Sequence, residues 1–158
     1  MGRAFREESY HFAVSKRMVS YSFGSGSKFS DAPYDEFLHP QFVATCLWPE
    51  KLNGREVEFT FIGKRNITAA LQDERSSVKN DAPIGELTMR GKSNSFLGSL
   101  PFDAAQHVQI ALALDAVPYV TLVGDPLYNG RAGIRWVNFD SERPEEIVQQ
   151  VPQLDEPQ

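Results

Sequence analysis

Length, composition and charge indicate one globular domain. The chain has 158 residues, of which 41% are hydrophobic and 23% charged, enough for one domain with a buried core. Its longest apolar runs are far shorter than the roughly 20 residues that a membrane-spanning helix needs, and the charged first ten residues do not resemble a secretory signal. The single cysteine, Cys46, excludes an internal disulfide and indicates a cytoplasmic protein.

The net charge of −5 is concentrated at the end of the chain. Residues 140–158 carry six acidic side chains against Arg143 alone, so residues 1–139 are formally neutral. A nucleic-acid-binding domain usually has a basic surface, and a neutral body argues against that class. We predict a single β-rich domain over residues 1–139 and an acidic, partly disordered tail over residues 140–158.

The first strand signals lie near the start of the chain. Apolar residues alternate with polar or small ones over residues 10–14 and again over 19–23, the period of two that half-buried strands show. Residues 15–17 form either the turn of a hairpin or a bend in one long strand. The Gly- and Ser-rich residues 24–33 then predict a loop.

The middle of the chain predicts an antiparallel pair of strands. Residues 41–48 are rich in strand-forming side chains, and residues 55–62 alternate apolar residues with Glu and Thr. Asn53-Gly54 lies between the two segments and favours the positive φ angles of a hairpin turn. Residues 63–71 have no clear pattern, and the polar residues 72–83 predict a surface loop.

One helix is predicted near residues 101–115, after segments of strand character at 84–90 and 96–100. An alternating apolar pattern within the helical segment also fits a strand. However, five alanines lie between positions 104 and 116, and alanine strongly favours helix over strand. Pro101 suits the first position of a helix, so the helix is the preferred interpretation.

A β-hairpin is the strongest structural prediction from the sequence. Residues 119–123 and 131–139 are two apolar segments that flank Asn129-Gly130, a pair typical of a tight turn between antiparallel strands. The register that this turn imposes places Val123 opposite Trp136. Coherent apolar pairs along both strands follow from the same register.

These elements together predict an α+β domain. Its sheet is mostly antiparallel and curved, either a half-barrel or barrel-like, with about six or seven strands. The helix near residues 101–115 either covers the open apolar face of this sheet or plugs one end of the barrel. The alternative is an all-β sandwich without the helix.

The sequence contains no motif that dictates a reaction. The loop at residues 24–28 lacks the spacing of a phosphate-binding P-loop, and the three histidines have no zinc-site spacing. Cys46 lies in an apolar strand and is interpreted as a structural residue. Neither a metal nor a cofactor is predicted.

One group of residues is a candidate ligand-binding surface. Arg131, Arg135 and Trp136 lie on the last predicted strand, where cationic and aromatic side chains can hold an anion, a base or an acidic partner. The competing interpretation is that Trp136 packs in the core while both arginines are simply solvated.

Two hypotheses about function follow. The first is a non-catalytic binding or interaction domain, whose ligand is an unknown protein or small molecule. The alternative is a small hydrolase or isomerase-like enzyme with a site in the sheet cavity, where His11, His39 or Asp125 acts with Arg131 as an anion clamp. Sites assembled from distant strands leave no linear motif, so the sequence leaves both hypotheses open.

Two further expectations concern the strand edges and the tail. Strand 55–62 contains no proline, and if it lies at a sheet edge it would pair with its symmetry mate in a homodimer. Residues 152–158 contain little apolar surface, so they are expected to be dispensable for folding.

Overall fold

The computed structural model describes residues 6–18, 20–25, 34–65 and 82–145. The predicted loops at 24–33 and 72–83 lie mostly outside these ranges, as do the tail residues 146–158. The strands are β1 (Glu8–Met18), β2 (Tyr21–Ser25), β3 (Tyr34–Leu38), β4 (Gln41–Trp48), β5 (Glu56–Lys64), β6 (Gly85–Arg90), β7 (Ser93–Pro101), β8 (Tyr119–Gly124) and β9 (Arg131–Asp140), with a 3₁₀ turn at Glu50–Leu52 and one α-helix, α1 (Phe102–Ala113).

Seven strands form a closed barrel in the order β1-β4-β5-β7-β6-β9-β8, and β8 returns to pair with β1. All neighbouring pairs are antiparallel except β5 and β7, which are parallel. The predicted α+β class with a barrel-like sheet and one helix is confirmed, and the helix-free sandwich is wrong. The parallel pair was not predicted, because the strand beside β5 is β7 and not β6, which follows β5 in the chain. β5 lies between β4 and β7, so the predicted dimer through residues 55–62 has no edge to use.

Both predicted antiparallel pairs are confirmed, and the register predicted for β8 and β9 is confirmed as well. In β8 and β9, Val123 lies opposite Trp136 as expected. Asn129 and Gly130 have φ angles of 51° and 75°, the positive values that this type of tight turn needs. The pairing of β4 with β5 is likewise antiparallel.

The N-terminal segment does not fold back on itself at residues 15–17 but continues as one long strand. β1 includes residues 15–17, so the predicted bend in one long strand is confirmed and the predicted hairpin turn at these residues is wrong. Met18 pairs with Gln41 and Tyr21 pairs with Leu38, which is one unbroken register. β2 and β3 therefore extend the β1–β4 ladder beyond the barrel as a separate two-stranded sheet, which we call the arm.

Aromatic side chains fill the barrel interior. The Phe42 and Phe59 rings stack with centroids 4.7 Å apart, and Phe12 meets Phe59 edge-on at 4.9 Å. Phe61 and Phe96 continue the cluster at 5.1 Å. Offset and edge-to-face contacts of this kind stabilise a core beyond the area that they bury, and the interior is a packed core instead of a cavity.

Helix α1 plugs the barrel at the end from which the arm projects. Phe102, Ala105 and Leu112 are its buried residues. A Cβ atom built at Gly63 of β5 would lie 3.0 Å from the Leu38 carbonyl oxygen and 3.1 Å from Ala105 Cβ. Glycine at this position therefore lets the helix and the arm approach β5 closely. Within the described residues, no helix is long and apolar enough to cross a membrane.

Candidate functional site

The predicted ligand-binding residues lie on the outside of β9. Trp136 is 63% exposed, and its indole N–H donates to Asn138 Oδ1 at 3.2 Å. The competing interpretation that placed Trp136 in the core is wrong, because Val123 opposite it also lies on the outer wall of the barrel while Leu122 beside it is buried. Trp136 thus offers an open aromatic face.

The two arginines of this surface are already engaged with carboxylates. Arg135 is the extra residue of a bulge between β8 and β9. Its guanidinium lies 2.5 Å from Asp125 Oδ1 and 3.7 Å from Glu7 Oε1, and its side chain is only 18% exposed. Arg131 Nε lies 3.9 Å from Glu86 Oε1. Both arginines therefore have a carboxylate nearby, and their role in ligand binding stays a prediction.

The alternative catalytic residues do not come together. His11 is buried, with Nδ1 2.7 Å from Thr121 Oγ1. His39 follows the arm, where its ring lies 5.8 Å from that of Phe37. Asp125 follows β8 at the end of the barrel opposite the arm. Gly124, just before it, pairs with Glu8 at the start of β1, whereas the arm extends from the end of β1, where Met18 pairs with Gln41. Their catalytic role stays a prediction.

The described residues contain no group of three or more His, Cys, Asp or Glu side chains that could hold a metal ion. Cys46 is a buried free thiol that donates to the Trp48 carbonyl at 3.3 Å. Burial raises the pKa of this thiol to about 11, whereas a nucleophilic cysteine needs a lowered pKa. The thiol therefore behaves as part of the packed core.

A groove between the arm and α1 is a binding feature that the sequence did not reveal. It is an open groove with a volume of about 460 Å³, and the buried Leu38 forms part of its lining. We call it the arm–helix groove; its lining residues are Tyr21, Leu38, Gln106, His107, Gln109 and Ile110. The two walls are 68 to 89 positions apart in the chain, and no local pattern predicts such a pairing.

Polar atoms in and beside the groove differ in whether they have a hydrogen-bond partner among the described residues. The Tyr21 hydroxyl donates to Glu36 Oε2 at 2.7 Å, and Arg65 donates to Glu36 Oε1 at 2.5 Å. Both hydrogen bonds lower the pKa of Glu36, and the bond from Tyr21 has the larger effect. The same bond to Glu36 raises the pKa of Tyr21. By contrast, Gln109 Oε1 is buried without a hydrogen-bond partner among the described residues.

Exposed apolar side chains gather at the same end of the barrel. Phe23 of the arm is 64% exposed and Ile110 of the helix 61%. Large exposed apolar residues mark interaction surfaces when they lie together at one end of a molecule. Those at the helix end of the barrel are Met18, Tyr21, Phe23, Phe37, Ile110 and Leu114, whereas Leu97, Tyr128 and Trp136 lie on other parts of the barrel.

The chain matches no protein-family model, no curated protein and no solved structure at a significant level.

Proposed function

We propose that the protein is a non-catalytic interaction domain that binds a segment of a protein partner in the arm–helix groove. The observation that carries the proposal is the gathering of exposed apolar side chains around this groove, with Phe23 and Ile110 among them. An apolar anchor that enters a pocket between two secondary-structure elements is a common form of peptide recognition.

The chemistry of the lining supports a peptide over a charged metabolite. The described lining residues include no Asp, Glu, Lys or Arg, so this part of the groove offers no strong counter-charge to an anion or a cation. The buried acceptor of Gln109 would gain from an N–H donor, and a peptide backbone brings such donors beside its side chains. An apolar side chain and its flanking backbone therefore fit the groove.

The aromatic filling of the barrel interior also supports this proposal over the enzyme alternative. That alternative placed its site in a sheet cavity, but the Phe42, Phe59 and Phe61 rings occupy the inside of the barrel. The cytoplasmic location stays part of the proposal. Its support is the free thiol of Cys46, which suits a reducing compartment.

The test is selection of peptides from a random library on the intact chain, followed by titration of the selected peptides. We expect peptides with an aromatic or branched aliphatic anchor. Ile110→Asp should weaken their binding by about tenfold or more, since it places a charge in the groove. Leu97→Asp is the matched control, because Leu97 is similarly exposed but lies on the outer wall of the barrel.

Failure to select any peptide, or equal binding by the wild type and Ile110→Asp, would overturn the proposal. A thermal-shift screen against metals and metabolites tests the alternative on the same protein. Stabilisation by such a compound that is lost on replacing His11 or His39 would favour the enzyme.

A further inference from the structure

The arm is joined to the barrel by two short connections that belong to neither sheet. On one side β1 ends at Met18 and β2 begins at Tyr21. On the other side β3 ends at Leu38 and β4 begins at Gln41. Short segments at the ends of elements are where one part of a protein usually rotates against another. The angle between the arm and α1 therefore depends on contacts made beyond these connections.

A continuous chain of four side chains links the arm to the start of α1. The Tyr21 hydroxyl on β2 donates to one carboxylate oxygen of Glu36 on β3 at 2.7 Å. Arg65, directly after β5, donates to the other oxygen of Glu36 at 2.5 Å. The same guanidinium lies 4.1 Å from the centroid of the Phe102 ring, and Phe102 is the first residue of α1. Arg65 thus connects both strands of the arm to the helix.

The chemistry of arginine allows one side chain to make both contacts. A planar guanidinium can donate to a carboxylate from its edge while its face lies on an aromatic ring. Lysine would keep the charge but not the planar group. The Arg65 side chain is 69% exposed, and an exposed charge pair is weakened by salt. The link between the arm and the helix is therefore sensitive to ionic strength.

We propose that Arg65 is a positioning residue of the arm–helix groove, which holds the arm against α1 at the width that suits the bound peptide. Tyr21 connects the two features, because it lines the groove and donates to Glu36. Without Arg65 the arm rotates away from the helix, and a peptide has to order it again on binding, which weakens the complex. The inference rests on the proposed function for its ligand, but the position of the arm can be measured without one.

The distance between the arm and α1 in the free protein tests the proposal. Spin labels are attached to Ser22→Cys on β2 and to Ala113→Cys at the end of α1, two exposed positions outside the described groove lining. Cys46→Ala removes the native thiol from each protein. Electron paramagnetic resonance should give one narrow distance distribution at about 20 mM salt. It should become broader or longer in Arg65→Met, and also at about 500 mM salt, where charges are screened beyond about 4 Å.

Salt should have little further effect on Arg65→Met, whereas a side chain that only stabilised the fold would not change the salt response of the arm. Arg65→Lys should give an intermediate distribution. Glu36→Ala should match Arg65→Met, and the double variant should add nothing, because both changes remove the same link. Arg55→Met is the matched control, since Arg55 lies at the other end of β5 and donates to Gly91 and Asn94. Thermal unfolding shows that each variant is folded.

Peptides selected on the intact chain should bind Arg65→Met about two- to fivefold more weakly than the wild type at low salt, the factor that one exposed charge pair can supply. The difference should disappear at high salt. Equal binding by the two proteins at low salt would overturn the proposal. The same distance distribution in both, or a salt response that persists in Arg65→Met, would overturn it as well. If the distances change as expected but no peptide is selected, the proposed function fails while the role of Arg65 in holding the arm stands.

Discussion

Tyr10 connects the start of β1 to the segment after β8 through a buried phenol. Its hydroxyl donates to the Asp125 carbonyl oxygen at 2.8 Å, and the residue is almost fully buried. Burial, followed by the negative charge of Glu8, raises the pKa of Tyr10 to about 12. The neutral phenol is therefore the form that the fold stabilises, and ionisation is easier in the unfolded chain.

Tyr10→Phe should lower the free energy of unfolding by about 1 kcal/mol at pH 8, because it removes one buried hydrogen bond. The folded-state pKa is raised, so the contribution of Tyr10 is complete below the unfolded value near 10 and is lost as pH rises toward 12. Urea unfolding of both proteins from pH 8 to about 11.5 should show the gap narrowing above pH 10. A gap that stays constant over this range would contradict the assignment.

At the scale of elements, Gly63 determines how α1 and the arm meet the barrel. The space around it is closed by the Leu38 carbonyl oxygen and by Ala105 Cβ. Arg65, two residues further, stacks its guanidinium 4.1 Å from the centroid of the Phe102 ring at the start of the helix. The last residues of β5 and the adjoining Arg65 thus contact both walls of the arm–helix groove.

Gly63→Val should destabilise the protein by about 1–3 kcal/mol, since its added methyl groups overpack the junction. It should also weaken peptide binding in the groove, because the helix must move away from β5. Ser95→Val enlarges an exposed strand residue and should change stability by less than about 0.5 kcal/mol. Urea unfolding and peptide titration measure both effects, and equal stability of the two variants would refute the packing role of Gly63.

The elements that the sequence predicted are those with a local signal. Asn129-Gly130 determines the register of β8 and β9, and the alanines of 101–115 predict a helix close to its true bounds. β3 was missed because its five residues combine two acidic side chains with aromatic ones and show no clear period. Its strand form depends on pairing with β2, which is a non-local contact.

The candidate site, like the fold, could be predicted only where the sequence carries a local signal. Trp136 could be named from the sequence as a candidate, but whether it lies on the surface or in the core was left open, and nothing in the sequence indicated that Asp125 and Glu7 engage Arg135. The arm–helix groove could not be predicted without knowing how the barrel, the helix and the arm are arranged relative to one another. One local sign was present: the aromatic residues Tyr21 and Phe23 alternate with the small residues Ser22 and Gly24. One face of this strand is therefore aromatic, and the other face carries only small side chains.

At the scale of the whole molecule, closure of the barrel couples its strands into one unit. A closed sheet has no edge strand from which to fray, so exposure of an interior residue requires much of the barrel to open. Cys46 is a natural reporter of that opening, because it is fully buried on β4 and lies opposite Phe12 of β1. Its raised pKa, about 11 through burial, further suppresses the reactive thiolate in the folded state.

Labelling of Cys46 by a thiol reagent should therefore follow global unfolding. For a domain of ordinary stability, the rate in the native protein should be at least about 1,000-fold below that of the urea-unfolded chain. The logarithm of the rate should rise with urea at the slope of equilibrium unfolding, because the same surface is exposed in both processes. A native rate within tenfold of the unfolded rate, or one that does not respond to urea, would show that β4 opens locally and that the barrel is not one cooperative unit.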